Sequence, residues 1–120
     1  MKSEHLKTGS LGESIAKKHL KRKGYEILKQ NYKNKYAEID LIARDKDSLV
    51  FVEVRTRVGE KFGTPEESIN RNKLNKLVKN AEAYINFRNY KGKYRIDAVC
   101  IVLDENKKPR RVSHYKSITL

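Results

Sequence analysis

Ala37-Glu38-Ile39-Asp40-Leu41-Ile42-Ala43 and Leu49-Val50-Phe51-Val52-Glu53-Val54-Arg55 flank the polar break Arg44-Asp45-Lys46-Asp47-Ser48, and their reading decides the fold. Two short, mostly apolar runs around a break of turn length are the pattern of a β-hairpin. Closing it with Lys46-Asp47 at the tip pairs Asp45 with Ser48, which sets Asp40 opposite Glu53 and Glu38 opposite Arg55. Strand side chains alternate between faces, so Glu38, Asp40 and Ile42 share a face with Phe51, Glu53 and Arg55. The other face, Ile39, Leu41, Ala43, Val50, Val52 and Val54, is wholly apolar and belongs in a core.

The acids on this hairpin call for compensation. A buried carboxylate without a partner costs several kcal/mol or is neutralised by a shift of its pKa. Directly opposed residues have Cβ atoms roughly 5 Å apart, so Asp40 and Glu53 repel unless something positive lies between them. A divalent metal that also meets an anionic substrate would do this, because Mg²⁺ is usually held by one or two carboxylates with water and phosphate oxygens. A plain structural reading stands beside it, in which Glu38 and Arg55 form a cross-strand ion pair and Glu53 is neutralised by Arg57.

Composition narrows the partners. The 120 residues suffice for one domain, 1–120, with a single core. No apolar run approaches the ~20 residues of a membrane span, and the charged start Met1-Lys2-Ser3-Glu4-His5 lacks the apolar stretch of a signal peptide. The lone Cys100, within the apolar run 96–103, reads as a buried free thiol and suits a reducing cytoplasm. His5, His19 and His114 show no zinc-ligand spacing. Lys and Arg number 28 against 15 Asp and Glu, a net charge of +13 that points to nucleic acid; such a surface could also meet anionic lipid or an acidic protein, but no strongly amphipathic basic helix supports a membrane role.

The rest of the chain supplies a frame for the hairpin. A first helix is expected from about Lys7 or Ser10 to Lys23, with Ile15, Ala16 and Leu20 as its apolar stripe and Gly24 as its stop. Glu13 lies on or beside that stripe, where it either serves the site or complements the helix dipole. A strand is expected over 25–33, then the hairpin, then a mobile loop over 58–64 with Gly59 and Gly63. Pro65-Glu66-Glu67 opens a second helix whose period runs from Leu74 to Ile85 and ends near Arg88. Strands follow over 94–103 and 110–118. The expected class is α/β, a mixed five-stranded sheet in the order αβββαββ with helices packed on it.

Further basic residues suit a nucleic-acid partner. Lys17, Lys18, Lys21, Arg22 and Lys23 form a dense stretch continued by Lys29, Lys33 and Lys35, with Tyr25, Tyr32 and Tyr36 interleaved. Lysines would contact phosphate; the tyrosines would stack on unpaired bases or, as the favoured alternative, half-bury in the core. Lys73 and Lys76 flank the stripe of the second helix, from which a lysine could reach a phosphate at the acid site. Arg95 and Asp97 share a strand face and read as a structural ion pair.

Gly9, Gly12-Glu13, Asn31, Glu38-Ile39-Asp40, Val52-Glu53-Val54-Arg55-Thr56-Arg57, Gly63, Pro65-Glu66, Lys73, Arg95 and Asp97 together resemble the YraN-type family of small bacterial proteins. That family is regarded as endonuclease-like, within the PD-(D/E)xK nuclease superfamily, and is similar there to archaeal Holliday junction resolvases. The resemblance implies a restriction-endonuclease-like fold with Mg²⁺ or Mn²⁺ at Asp40 and Glu53, and Glu13 as the accessory acid of the first helix. Arg55 stands at the motif's lysine position, where arginine can stabilise charge but cannot accept a proton. Either Arg55 supplies the neutralising part, or Lys73 substitutes for it, or the protein binds branched nucleic acid with little cleavage. The implied function is a metal-dependent DNA endonuclease with Arg57 and the Lys17–Arg22 stretch on the nucleic acid. A non-catalytic nucleic-acid-binding module in DNA repair or RNA metabolism is the alternative, and an adaptor for an acidic protein a third. The resemblance also allows a homodimer, since resolvases cut a junction twice.

Overall fold

The structure, a computed structural model, describes residues 2–35 and 38–119, and side chains from residue 8 onward. Tyr36, Ala37 and the side chain of His5, singled out above, lie outside the described residues. The elements are α1 (Lys2–Arg22), β1 (Glu26–Lys33), β2 (Glu38–Asp45), β3 (Ser48–Val58), a 3₁₀ turn (Glu66–Ser68), α2 (Arg71–Arg88), β4 (Lys93–Leu103) and β5 (Pro109–Tyr115). The five strands lie in sequential order in one sheet. Only β3 and β4 are parallel, joined by the crossover through α2, and every other neighbour is antiparallel.

The hairpin has the register that a two-residue tip demands: Asp45 pairs with Ser48, Ala43 with Val50 and Leu41 with Val52. The ladder stops there, so the strict cross-strand pairing of Asp40 with Glu53 is not formed. The alternation of faces also breaks at this point. Leu41, Ala43, Val50 and Val52 pack under α1 with Ala16, Leu20 and Tyr25. Ile39, expected with them, instead joins Ile42, Phe51, Leu77, Ala81 and Tyr84 in the layer under α2.

Three boundaries differ from expectation. The backbone of α1 already begins at Lys2. Pro65 opens the 3₁₀ turn, and α2 starts only after Asn70, whose side chain caps it by accepting from the Lys73 N–H at 2.9 Å. β5 ends at Tyr115; beyond it the Ser117 N–H donates to Asp97 and the Ile118 N–H to the Ile96 carbonyl.

Gly12 sets the seating of α1. A Cβ there would stand 1.9 Å from Thr56 Oγ1, so the helix can lie this close to β3 only with glycine at the contact. Cys100 is a buried free thiol, its pKa pushed up to about 11 chiefly by burial. No helix among the described residues is long and apolar enough to cross a membrane.

Candidate active site

The site lies where β2 and β3 cease to pair. Asp40 turns its carboxyl toward β3 and accepts the Val54 N–H at 2.8 Å, a side chain taking the place of strand pairing. It also shares a hydrogen bond with Glu53, itself only 3% exposed. Burial, followed by the negative charge of Glu53, raises the Asp40 carboxyl to about 8 against the lowering effect of the Val54 N–H. At neutral pH the pair therefore holds a proton, and that proton makes its hydrogen bond.

Two cations meet on one oxygen of Glu53: Arg55 at 2.9 Å and Lys73 at 3.2 Å. This corrects both structural alternatives. Arg55 pairs with the acid two positions before it on its own strand face, not with Glu38 across the hairpin. Arg57 donates from Nε to the Thr64 carbonyl at 3.2 Å and steadies the loop, leaving Glu53 to Arg55 and Lys73. The Arg55 Nε is buried without an acceptor among the described residues. Lys73 reaches the site because the Asn70 cap places it in the first turn of α2.

Glu13 approaches from α1, brought in by the close contact at Gly12. With its amide nitrogen turned toward the carboxylate, Asn31 donates to both Glu13 oxygens, at 2.5 and 3.2 Å. Burial and then the charge of Glu38 raise the Glu13 carboxyl, and the Asn31 bond opposes them. Glu13, Glu38, Asp40 and Arg55 line an open cavity of about 910 Å³ with Phe62 and Lys107 also on its wall. Glu53 and Lys73 do not line it and connect to it through Asp40 and Arg55.

Among the described residues, no three His, Cys, Asp or Glu side chains gather closely enough to hold an ion by themselves. Glu13 therefore does not close a cage with Asp40 and Glu53. The Asp40–Glu53 pair fits a divalent cation on other grounds, since two hydrogen-bonded carboxyls that retain a proton present hard oxygen donors to any cation that displaces it.

Other expected residues fall away from this centre. Lys17, Lys18, Lys21 and Arg22 follow Glu13 along α1 and do not line the cavity; Lys17 bonds Gln30 at 2.9 Å, and the other three are exposed. Tyr25 is buried, and Tyr32 packs edge-on against Tyr84 at 5.1 Å, so neither is free to stack on a base. Lys76 is exposed. Asn31, Phe62 and Lys107 were not singled out individually for chemistry. Asn31 stands at a left-handed φ of 52°, which asparagine tolerates better than most residues, and this turns its amide to Glu13.

Comparison with known proteins agrees on one family. The profile described as "Uncharacterised protein family UPF0102" matches residues 12–101. A UPF0102 protein of Caldanaerobacter subterraneus subsp. tengcongensis is 48% identical over 111 residues, 89% of each chain. One from Clostridium botulinum strain 657 is 44% identical over 98 residues, 80% of each chain. One from Persephonella marina is 42% identical over 95 residues, 78% of this chain and 82% of the relative.

Proposed function

The chain belongs to the UPF0102 family, and from that premise we propose that it is a metal-dependent, resolvase-like DNA endonuclease of the PD-(D/E)xK superfamily with a restriction-endonuclease-like fold. One observation carries this reading: Asp40, on the wall of an open cavity, is hydrogen-bonded to the buried Glu53, which has two cations on one of its oxygens. Such a pair is costly as pure structure and suited to binding a divalent cation beside phosphate. Asp40 and Glu53 would hold Mg²⁺ or Mn²⁺, which when bound supplies an activated water and positive charge for the phosphate.

The remaining roles belong to the chain's own groups. Arg55 occupies the motif's lysine position and Lys73 reaches the same Glu53 oxygen, so the neutralising charge is divided between strand and helix. Neither Arg55 nor protonated Lys73 accepts a proton, so their part is to hold Glu53 and balance charge developing on phosphate. Glu13, held by Asn31, lies on the wall of the same cavity, where it would order water. Arg57 and Lys107 on the wall, with the exposed Lys18, Lys21 and Arg22 farther along α1, offer contacts to the nucleic-acid backbone.

The alternative, a non-catalytic nucleic-acid-binding module, draws on one specific observation: Arg55 is tied to Glu53 and its Nε lies buried. Incubating the protein with duplex, flap and four-way-junction DNA in Mg²⁺, Mn²⁺ or EDTA separates the two. Cleavage in metal that stops in EDTA and in Asp40→Asn is expected. Salt-dependent binding without metal-dependent cleavage of any DNA or RNA form would leave the binding module. In the first case Arg55→Lys retains activity, whereas Arg55→Ala loses about 10²–10³-fold, the scale for removing one group that stabilises developing charge.

A further inference from the structure

Phe62 is 88% exposed, more than any other large apolar side chain described, and it lies on the wall of the cavity that holds Asp40 and Glu13. Its loop is held at both ends. The Gly59 N–H donates to the Leu103 carbonyl at 2.9 Å, and Arg57 Nε donates to the Thr64 carbonyl at 3.2 Å. Just beyond, Arg111 grips Glu66 with two nitrogens, at 2.5 and 3.0 Å. Gly59 and Gly63 have φ of 68° and 123°, which side-chain-bearing residues rarely adopt, and a Cβ on Gly63 would stand 2.8 Å from Glu67 Oε2. The loop thus presents the ring outward from a fixed base.

Cations stand near the ring, on a cavity wall that also carries Glu13, Glu38 and Asp40. The Lys61 ammonium lies 5.6 Å from the ring centroid, and Arg57 and Lys107 line the same cavity. An exposed flat apolar ring among cations matches a nucleotide: the base offers a π-face and the phosphate a negative charge. Within a continuous duplex that face is covered by the neighbouring base pairs and is reached only by unstacking them, so an unpaired base meets Phe62 at less cost. Resting on the nucleic-acid reading above, we propose that Phe62 is a stacking post for an unpaired nucleobase, so that the protein prefers duplexes carrying unpaired nucleotides to continuous ones. Phe87, 81% exposed on α2 but not on the cavity wall, serves as the control.

The experiment compares binding to a continuous DNA duplex and to the same duplex with a short single-stranded flap, in EDTA and at matched salt. A fluorescent adenine analogue sits at the flap junction. Wild type and Phe87→Ala should favour the flapped form by about tenfold and quench the analogue. Phe62→Ala should lose preference and quenching while keeping its duplex affinity and salt dependence, and Phe62→Tyr should restore both. Equal wild-type binding of the two forms, or a preference that survives Phe62→Ala, overturns the inference. So does self-association in sedimentation that depends on Phe62 while base preference does not, since the ring is then a protein contact. If wild type binds no DNA, or binds indifferently to salt, the nucleic-acid reading itself fails; salt-dependent binding without preference removes only the stacking role.

Discussion

Glu53 and Asp97 are both buried in the sheet and stand on neighbouring rungs of the β3–β4 ladder, where Glu53 pairs with Ala98 and Asp97 with Val52, yet their surroundings are opposite. Asp97 lies in the α1 layer and is saturated with donors. His114 Nε2 reaches it at 2.8 Å, Arg95 Nε at 3.0 Å, the Ser117 N–H at 3.0 Å and the Tyr25 hydroxyl at 3.5 Å. Lys23 contacts His114 Nδ1 and can only donate, so the histidine carries its proton on Nε2, facing Asp97. Burial by itself would raise the Asp97 carboxyl, but the bonds from His114 and Arg95 hold it below its ordinary value. Around Glu53 a second carboxyl, Asp40, occupies space that a donor would fill, and it is Asp40 whose proton affinity rises. A buried acid with every oxygen satisfied is structure. A buried acid paired with another acid, one of them on a cavity wall, is the arrangement on which the proposed metal site rests.

The largest test of this contrast is Asp97→Ala. It leaves Arg95 and His114 without their buried partner and should cost about 3–5 kcal/mol, read by urea denaturation. Asp40→Asn should do the reverse in the metal-free protein, matching or exceeding wild-type stability while losing Mn²⁺ binding in calorimetry. A variant that binds Mn²⁺ unchanged would place the metal elsewhere.

A smaller effect is expected from Gly12→Ala, which forces α1 away from Thr56 and should destabilise by about 1–3 kcal/mol. Because the same contact seats Glu13 on the cavity wall, metal-dependent cleavage should fall with it; a stability loss with unchanged cleavage per folded molecule would detach Glu13 from the site.

The contrast also has a pH signature. The Asp40 carboxyl is raised in the folded state from an ordinary 3.8 to about 8, so its contribution is full below about pH 4 and lost as pH rises through about 8. Asp97 has the opposite sign: its lowered carboxyl adds stability above the ordinary carboxylate range that is lost on acidification. Denaturation in EDTA at pH 5 and pH 8.5 should show a decline in wild type that Asp40→Asn lacks.

The smallest expected effect lies at Glu66, lowered to about 2 chiefly by its hydrogen bonds from Arg111. Its contribution should fade as pH falls from about 4.5 toward 2 and be absent in Glu66→Gln. As a partly exposed pair it is worth no more than about 1 kcal/mol.

The hairpin register was legible because a two-residue tip leaves only one pairing. The family was legible because motifs on α1, β2 and β3 occur together. The end of the ladder at Leu41 was not, because period-two reasoning assumes a continuous strand, and the carboxyl of Asp40 ends it by taking the Val54 N–H. The pairing of Arg55 with Glu53 was within reach of the same alternation, since the two share a face, but cross-strand logic favoured Glu38. Pro65 misled because proline suits the first turn of a 3₁₀ helix as well as that of an α-helix, and Asn70 was the better start signal. The donors around Asp97 come from Tyr25 just before β1, from β4, from β5 and from the segment after it, and no local pattern joins residues so far apart.

The neighbouring rungs of Glu53 and Asp97 also act as a register key. β3 and β4 run parallel for eleven paired residues through a largely apolar stretch in which Val, Ile and Leu could trade places at little cost. A slip of β4 by one position would set Asp97 level with Glu53, turn it from the donors of the α1 layer toward Phe51 and Tyr84, and bury two acids side by side. The chain thus marks its one permitted alignment with charge: each acid, correct in its own layer, makes the neighbouring alignment unaffordable.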